Sequence, residues 1–146
     1  MKEKILAINK KATQDYEILE KIETGVVLFG PEVKSIKLGN VNLKGSFAKI
    51  LRGELWLLGM HVGAYRPAVL ENYDPKRSRK LLVQKKEIKK LFGKLQERGL
   101  VLVPLRVYLK KNIVKIELGL GKAKKLWDKR ELLRKKEIKK EIRRQG

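Results

Sequence analysis

The stretch LVLVPLRVYLKKNIVKIELGLG (residues 100–121) decides the fold. Its first ten residues are rich in Leu and Val, and Lys110-Lys111-Asn112 then turns the chain. The return run alternates, with Val114, Ile116 and Leu118 on one face and Lys115 and Glu117 on the other. That period of two predicts a strand buried on one side. Pro104 cannot donate to a strand ladder, so it predicts a sheet edge or a bulge.

Working outward, residues 46–51 and 54–62 flank Arg52-Gly53 and predict a second hairpin. Residues 16–29 predict two short strands broken at Glu23-Thr24-Gly25. Gly30-Pro31 opens a short helix and Gly39 closes it. Ile88, Leu91, Phe92 and Leu95 share one helical face within residues 85–98, and Gly99 ends that helix. Between these lies GAYRPAVLENYDPKRSR (residues 63–79), read as a loop that leaves Arg66, Lys76, Arg77 and Arg79 on the surface. Short strands at hairpin spacing with few helices predict a small β-barrel or sandwich with a helix over an open end or edge. An OB-like barrel is one permitted answer, and periodicity does not fix the strand order.

The chain has 146 residues, with 37 Lys and Arg against 16 Asp and Glu, a formal net charge of +21. So large an excess repels itself unless it meets a polyanion. Nucleic acid is the first candidate, because neutralised phosphates release counterions; an anionic membrane surface is the second. There is no Cys, hence no disulfide, thiol nucleophile or Cys-based zinc site, which suits a reducing compartment. The opening MKEKILAINKKATQDY has apolar residues only at 5–8, too few for a signal-peptide core. No run approaches eighteen apolar residues. One His and scattered carboxylates point away from an enzyme or metal site, and no cofactor is expected. The expectation is a cytoplasmic RNA binder.

Residues 122–146 differ in kind from the rest. Twelve basic residues face four acidic ones, and no Gly or Pro lies between 122 and 145. Helix propensity is high, yet Leu126, Leu133, Ile138 and Ile142 make only a thin apolar stripe. A tail disordered alone and helical against a polyanion is expected; a solvated helix packed on the body is the plainer alternative. Two domains follow: a barrel over 1–121 and a basic tail over 122–146. Trp127 either anchors that tail or stacks on an unpaired base. A lone His61 is more often structural, although Tyr65 and Arg66 nearby would suit RNA contact. Arg77, Arg79 and Lys80, after a Tyr-Asp-Pro turn, favour phosphate contact. Glu23 is an ordinary turn carboxylate or an acceptor for a base or ribose.

NKKATQDYEI (9–18), ETGVVLFGPEVKSIKLGNVNL (23–43), GELWLLGMHVGAY (53–65), DPKRSRKLLVQKKEI (74–88), VPLRVYLKKNIVKIELGLGK (103–122) and DKR (128–130) occur in the order that resembles the SmpB, or SsrA-binding, family. The resemblance implies a mainly β, OB-fold-like antiparallel β-barrel with flanking α-helices and a C-terminal tail. It implies that the barrel binds the tRNA-like domain of tmRNA, mainly at its D-loop, and delivers it to stalled ribosomes for trans-translation. The pair would enter the A site, and the tail would fold as a helix in the empty mRNA channel against rRNA. By the same resemblance, Glu23, a leucine of Leu81-Leu82, and Lys115 support RNA binding, with Lys34 and Ser35 beside them. Lys124, Lys125, Asp128, Lys129 and Arg130 would serve the ribosomal step, and Trp127 would stack near the decoding centre. Ala123 stands where many relatives have Gly, and Pro31 replaces a variable residue. A monomer is expected. A structural ribosomal protein or a general OB-fold RNA chaperone is the alternative.

Overall fold

A computed structural model of the chain describes residues 3–97 and 99–124. In chain order the elements are β1 (Lys4–Ile8), α1 (Lys10–Asp15), β2 (Tyr16–Val26), α2 (Gly30–Lys37), β3 (Val41–Asn42), β4 (Phe47–Leu51), β5 (Glu54–Leu58), β6 (His61–Val62), β7 (Arg79–Leu82), α3 (Lys85–Leu95), β8 (Leu100–Lys110) and β9 (Ile113–Ala123). A 3-10 turn, Arg66–Ala68, lies in the long loop before β7.

β8 and β9 form a hairpin paired along its full length, turned by Lys111 and Asn112 at positive φ. Val114, Ile116 and Leu118 are buried, so the inner face of β9 is the one its alternation predicts. The sheet order β1-β8-β4-β5-β7-β2-β9, with β8 also paired to β9, closes the sheet nearly into a barrel. The seam is thin: β4 meets β8 only at Ala48 and Leu102. Pro104 sits beside a bulge before Arg106, not at an edge, because β8 has neighbours on both sides. Its carbonyl accepts from Asn9 Nδ2 at 2.9 Å, which docks the start of α1 on β8. Gly119 makes room for the side chains of Leu105 and Ile18, which a Cβ there would press at 3.0 and 3.1 Å.

Four expectations need correction. Residues 16–26 form one strand, not two, because β7 and β9 pair with β2 on either side and hold Gly25 extended. The strand after Arg52-Gly53 stops at Leu58; Gly59 turns at φ 81° and His61-Val62 pair with β3 instead. Arg79, expected on a surface loop, is 0% exposed and begins β7. Phe92 is 55% exposed, because α3 lies over the core through Ile88, Leu91 and Leu95 only. β1 and α1 were not expected at all.

Candidate nucleic-acid interface

Glu23, Gly25, Val27 and Phe29 lie at every second position of β2 and its extension, and three of them point outward while Thr24 is buried. Cross-strand register builds a face around them. Gly25 is opposite Leu82 of β7 and Lys115 of β9, and Lys115 is opposite Tyr108 of β8. Directly opposed residues share a face, so Leu82 and Lys115 flank a position with no side chain, and Tyr108 lies one strand beyond Lys115. A Cβ on Gly25 would lie 3.3 Å from Leu82 Cβ. The result is a shallow floor, with 50%-exposed Leu82 on one wall and half-buried Lys115 on the other.

One rung along, Glu23 is opposite Glu117, and Glu117 is opposite Arg106. Two carboxylates side by side repel unless cations meet them. Arg106 donates to Glu117 at 3.0 Å and to Glu3 at 2.9 Å, its guanidinium 4.2 Å above the Tyr108 ring. Tyr108 Oη donates to Glu23 Oε2 at 2.5 Å, and Lys110 Nζ lies 3.3 Å from the same oxygen. The Tyr108 hydrogen bond holds the Glu23 carboxyl below its ordinary value against the opposing pull of burial, with Lys110 and Lys115 adding to the effect. Burial and Glu23 together push the Tyr108 hydroxyl upward. Glu23 is thus an ionised acceptor fixed on the rim of the floor, able to take N–H or O–H donors from a base or ribose. Lys115 makes no ion pair among the described residues and can meet a phosphate.

A second cluster fixes the loop that borders this face. Glu32, the third residue of α2, accepts from the Phe29 N–H at 2.8 Å, the local capping contact of a helix start. Its carboxylate also accepts from Arg77 Nε at 3.1 Å, from Arg79 Nε at 2.8 Å and Nη2 at 2.5 Å, and from Tyr73 Oη at 3.0 Å. Arg79 further donates to the carbonyls of Met60 and Pro75, at 2.7 and 3.1 Å. Arg77 then lies over Phe29, its guanidinium carbon 3.9 Å from the ring centroid. Burial raises the Glu32 carboxyl, but the hydrogen bonds from Arg77, the Phe29 N–H and Arg79 outweigh it and bring it down to about 2 from 4.5. Because the folded value is the lower one, this stabilisation is complete above about 4.5 and is lost as pH falls toward about 2. We therefore expect the steepest fall in melting temperature in that window, and a shallower fall in Glu32→Gln. An identical acid limb in that variant would remove the assignment.

Comparison with known proteins places the chain. The model of the SmpB protein family matches residues 6–146. The SsrA-binding protein of Carboxydothermus hydrogenoformans is 57% identical over 140 residues, covering 96% of this chain and 94% of that protein. The chain belongs to the SmpB family. The SsrA-binding protein of Bacillus subtilis is 56% identical over 141 residues, with 97% and 90% coverage. A solved chain from a structure described as tmRNA-SmpB in the bacterial ribosome superposes with a TM-score of 0.68 at 44% identity, covering 82% of this chain and 85% of that one.

Within this SmpB fold the residues singled out from the sequence separate into groups. Glu23, Leu82 and Lys115 come together around Gly25, and Lys80 stands on the same strand as Leu82. Arg77 borders the face through Phe29, and Lys34 is exposed on α2. Leu81 is 1% exposed and belongs to the core, so Leu82 is the leucine available to a ligand. Arg79 is likewise unavailable to a phosphate, its guanidinium being enclosed by Glu32 and backbone carbonyls. Ser35 is buried and donates to the Gly63 carbonyl at 2.5 Å, a structural role. His61 pairs with Asn42 in the small second sheet, and Tyr65 precedes the 3-10 turn; neither joins the Gly25 face through strand pairing. Lys124 is tied to α1, its backbone N–H donating to Asp15 O at 2.8 Å and Nζ to Thr13 O at 3.0 Å. Lys125, Trp127, Asp128, Lys129 and Arg130 lie outside the described residues. Glu32, Phe29, Arg106 and Tyr108 went unread in the sequence. Only Glu32 carried a local signal, an acid two residues into a helix begun by Gly-Pro.

Proposed function

We propose that this chain is the protein partner of tmRNA in trans-translation: a non-enzymatic RNA-binding adaptor of the bacterial cytoplasm that works on the ribosome. Its membership of a family of SsrA-binding proteins supports this reading, as does its net charge of +21. The observation that carries it is the convergence of Glu23, Leu82 and Lys115 on the bare floor at Gly25. There the face offers an anionic acceptor, an apolar wall and a cation to the tRNA-like domain of tmRNA. The basic residues after 124 then act in the mRNA channel and the A site.

Equilibrium binding to the tRNA-like domain, at physiological salt with excess unrelated tRNA, tests the reading. The intact chain should bind it in preference to the competitor. Lys115→Ala should weaken binding and lower the salt slope by about one, the loss of one phosphate contact. Glu23→Ala should weaken binding about tenfold with the slope unchanged, because a charge-assisted hydrogen bond is lost without losing a cation. Wild-type affinity in both variants would place the RNA elsewhere. Equal binding to competitor tRNA would favour a general RNA chaperone.

A further inference from the structure

β4 and β5 present an outer face that none of the residues above occupies. Leu55 and Leu57 are 0% exposed, so Trp56 between them points out of the barrel, where it is half-buried. Register sets Lys49 of β4 directly opposite Trp56 on one side and Lys80 of β7 directly opposite on the other. One tryptophan is therefore flanked across the strands by two lysines. Lys80 is ion-paired with Glu54 at 2.5 Å, both about 43% exposed, while Lys49 has no ion pair among the described residues. Phe47, on the same side of β4 as Lys49, is 48% exposed.

We propose that the Lys49–Trp56–Lys80 row is a stacking platform for an unpaired base of the partner RNA, with Lys49 taking a phosphate on one side and Lys80 exchanging Glu54 for a phosphate on the other. The proposal rests on the RNA-binding reading above and names a subsite that reading does not include. Charge and continuity favour RNA as the occupant. An indole face accepts any base, and cations on both sides match a backbone that runs past it. β7 also carries Leu82, which is opposite Gly25, and the Val27 N–H donates to the Lys80 carbonyl at 2.9 Å. The row is thus joined through β7 to the floor at Gly25, two strands across and two residues along from Trp56, about 12 Å away.

The alternative is that the lysine stems only cover Trp56 and stabilise the sheet. Trp56→Leu separates the two, because Leu keeps apolar cover and removes the aromatic face. Affinity for the tRNA-like domain should fall roughly tenfold in Trp56→Leu, as for one lost stacked base, and stay close to wild type in Trp56→Phe. Melting temperatures verify that both variants fold. In a full-length Trp127→Phe background, where Trp56 is the sole indole, saturating RNA should quench its emission and shield it from acrylamide. Unchanged emission and affinity at Trp56, with binding still weakened by Glu23→Ala, would overturn the platform and leave the RNA-binding reading standing. Emission that responds to ribosomes but not to the isolated RNA domain would also overturn it, making the face a ribosome contact. Failure of the intact chain to bind the RNA domain would take down both readings.

Discussion

Ending the chain after Lys124 should reduce peptide tagging on stalled ribosomes to background while leaving affinity for the tRNA-like domain within about threefold at physiological salt. β9 closes at Ala123, opposite Tyr16, and Lys124 is held by the carbonyls of Asp15 and Thr13. A cut after 124 therefore keeps every rung of the barrel and the whole Gly25 face. It removes ten basic and four acidic residues, together with Trp127 and the Asp-Lys-Arg segment. Part of the nonspecific affinity goes with that charge, which is why competitor tRNA belongs in the assay. Tagging by the shortened chain would sink the tail's role, and loss of specific RNA affinity would mean that the tail takes part in RNA capture. A cut after 122 would be less informative, because it also removes the last rung of β9.

Glu32→Ala carries the second large effect. Arg79 has no solvent to turn to, at 0% exposure, and Glu32 is the carboxylate it meets. Removing one partner of a buried pair leaves the other charge uncompensated, at about 3–5 kcal/mol. Tyr73 and Arg77 lose the same acceptor, so the later part of the loop loses its tie to α2 as well, while Ser35 still holds Gly63. In a domain of this size the melting temperature should drop by roughly 10 °C or more. Glu54→Ala is the control. It breaks the exposed pair with Lys80 and should cost less than about 1 kcal/mol. Equal melting temperatures for Glu32→Ala and wild type would show that Glu32 does not hold the loop.

The contrast between Glu32 and β9 marks how far the sequence can be read. Alternation in residues 113–121 reports which side of a strand is apolar, and Val114, Ile116 and Leu118 are buried as that pattern requires. Gly30-Pro31 marks the start of α2 through backbone chemistry that acts within a few residues. The excess of Lys and Arg speaks to a polyanionic partner whatever the fold, and the ordered motifs speak to the SmpB family. All of these signals are local or additive, so no contact map is needed to see them.

Tertiary structure decided what depends on residues far apart in the chain. Glu32 and Arg79 are 47 positions apart, and only the closed sheet shows that an Arg in a charged run is buried. Gly25 looks like a break until strands on both sides hold it extended, and then it becomes the floor of the site. β7 is four residues long, too short for periodicity to separate it from the loop before it, yet two neighbouring strands make it a member of the barrel. Composition and pattern determined that this chain is a basic, mainly β protein suited to RNA, and left barrel and sandwich both open. Which charges face the RNA and which are spent inside the fold was settled by cross-strand register, because register alone decides what each side chain meets.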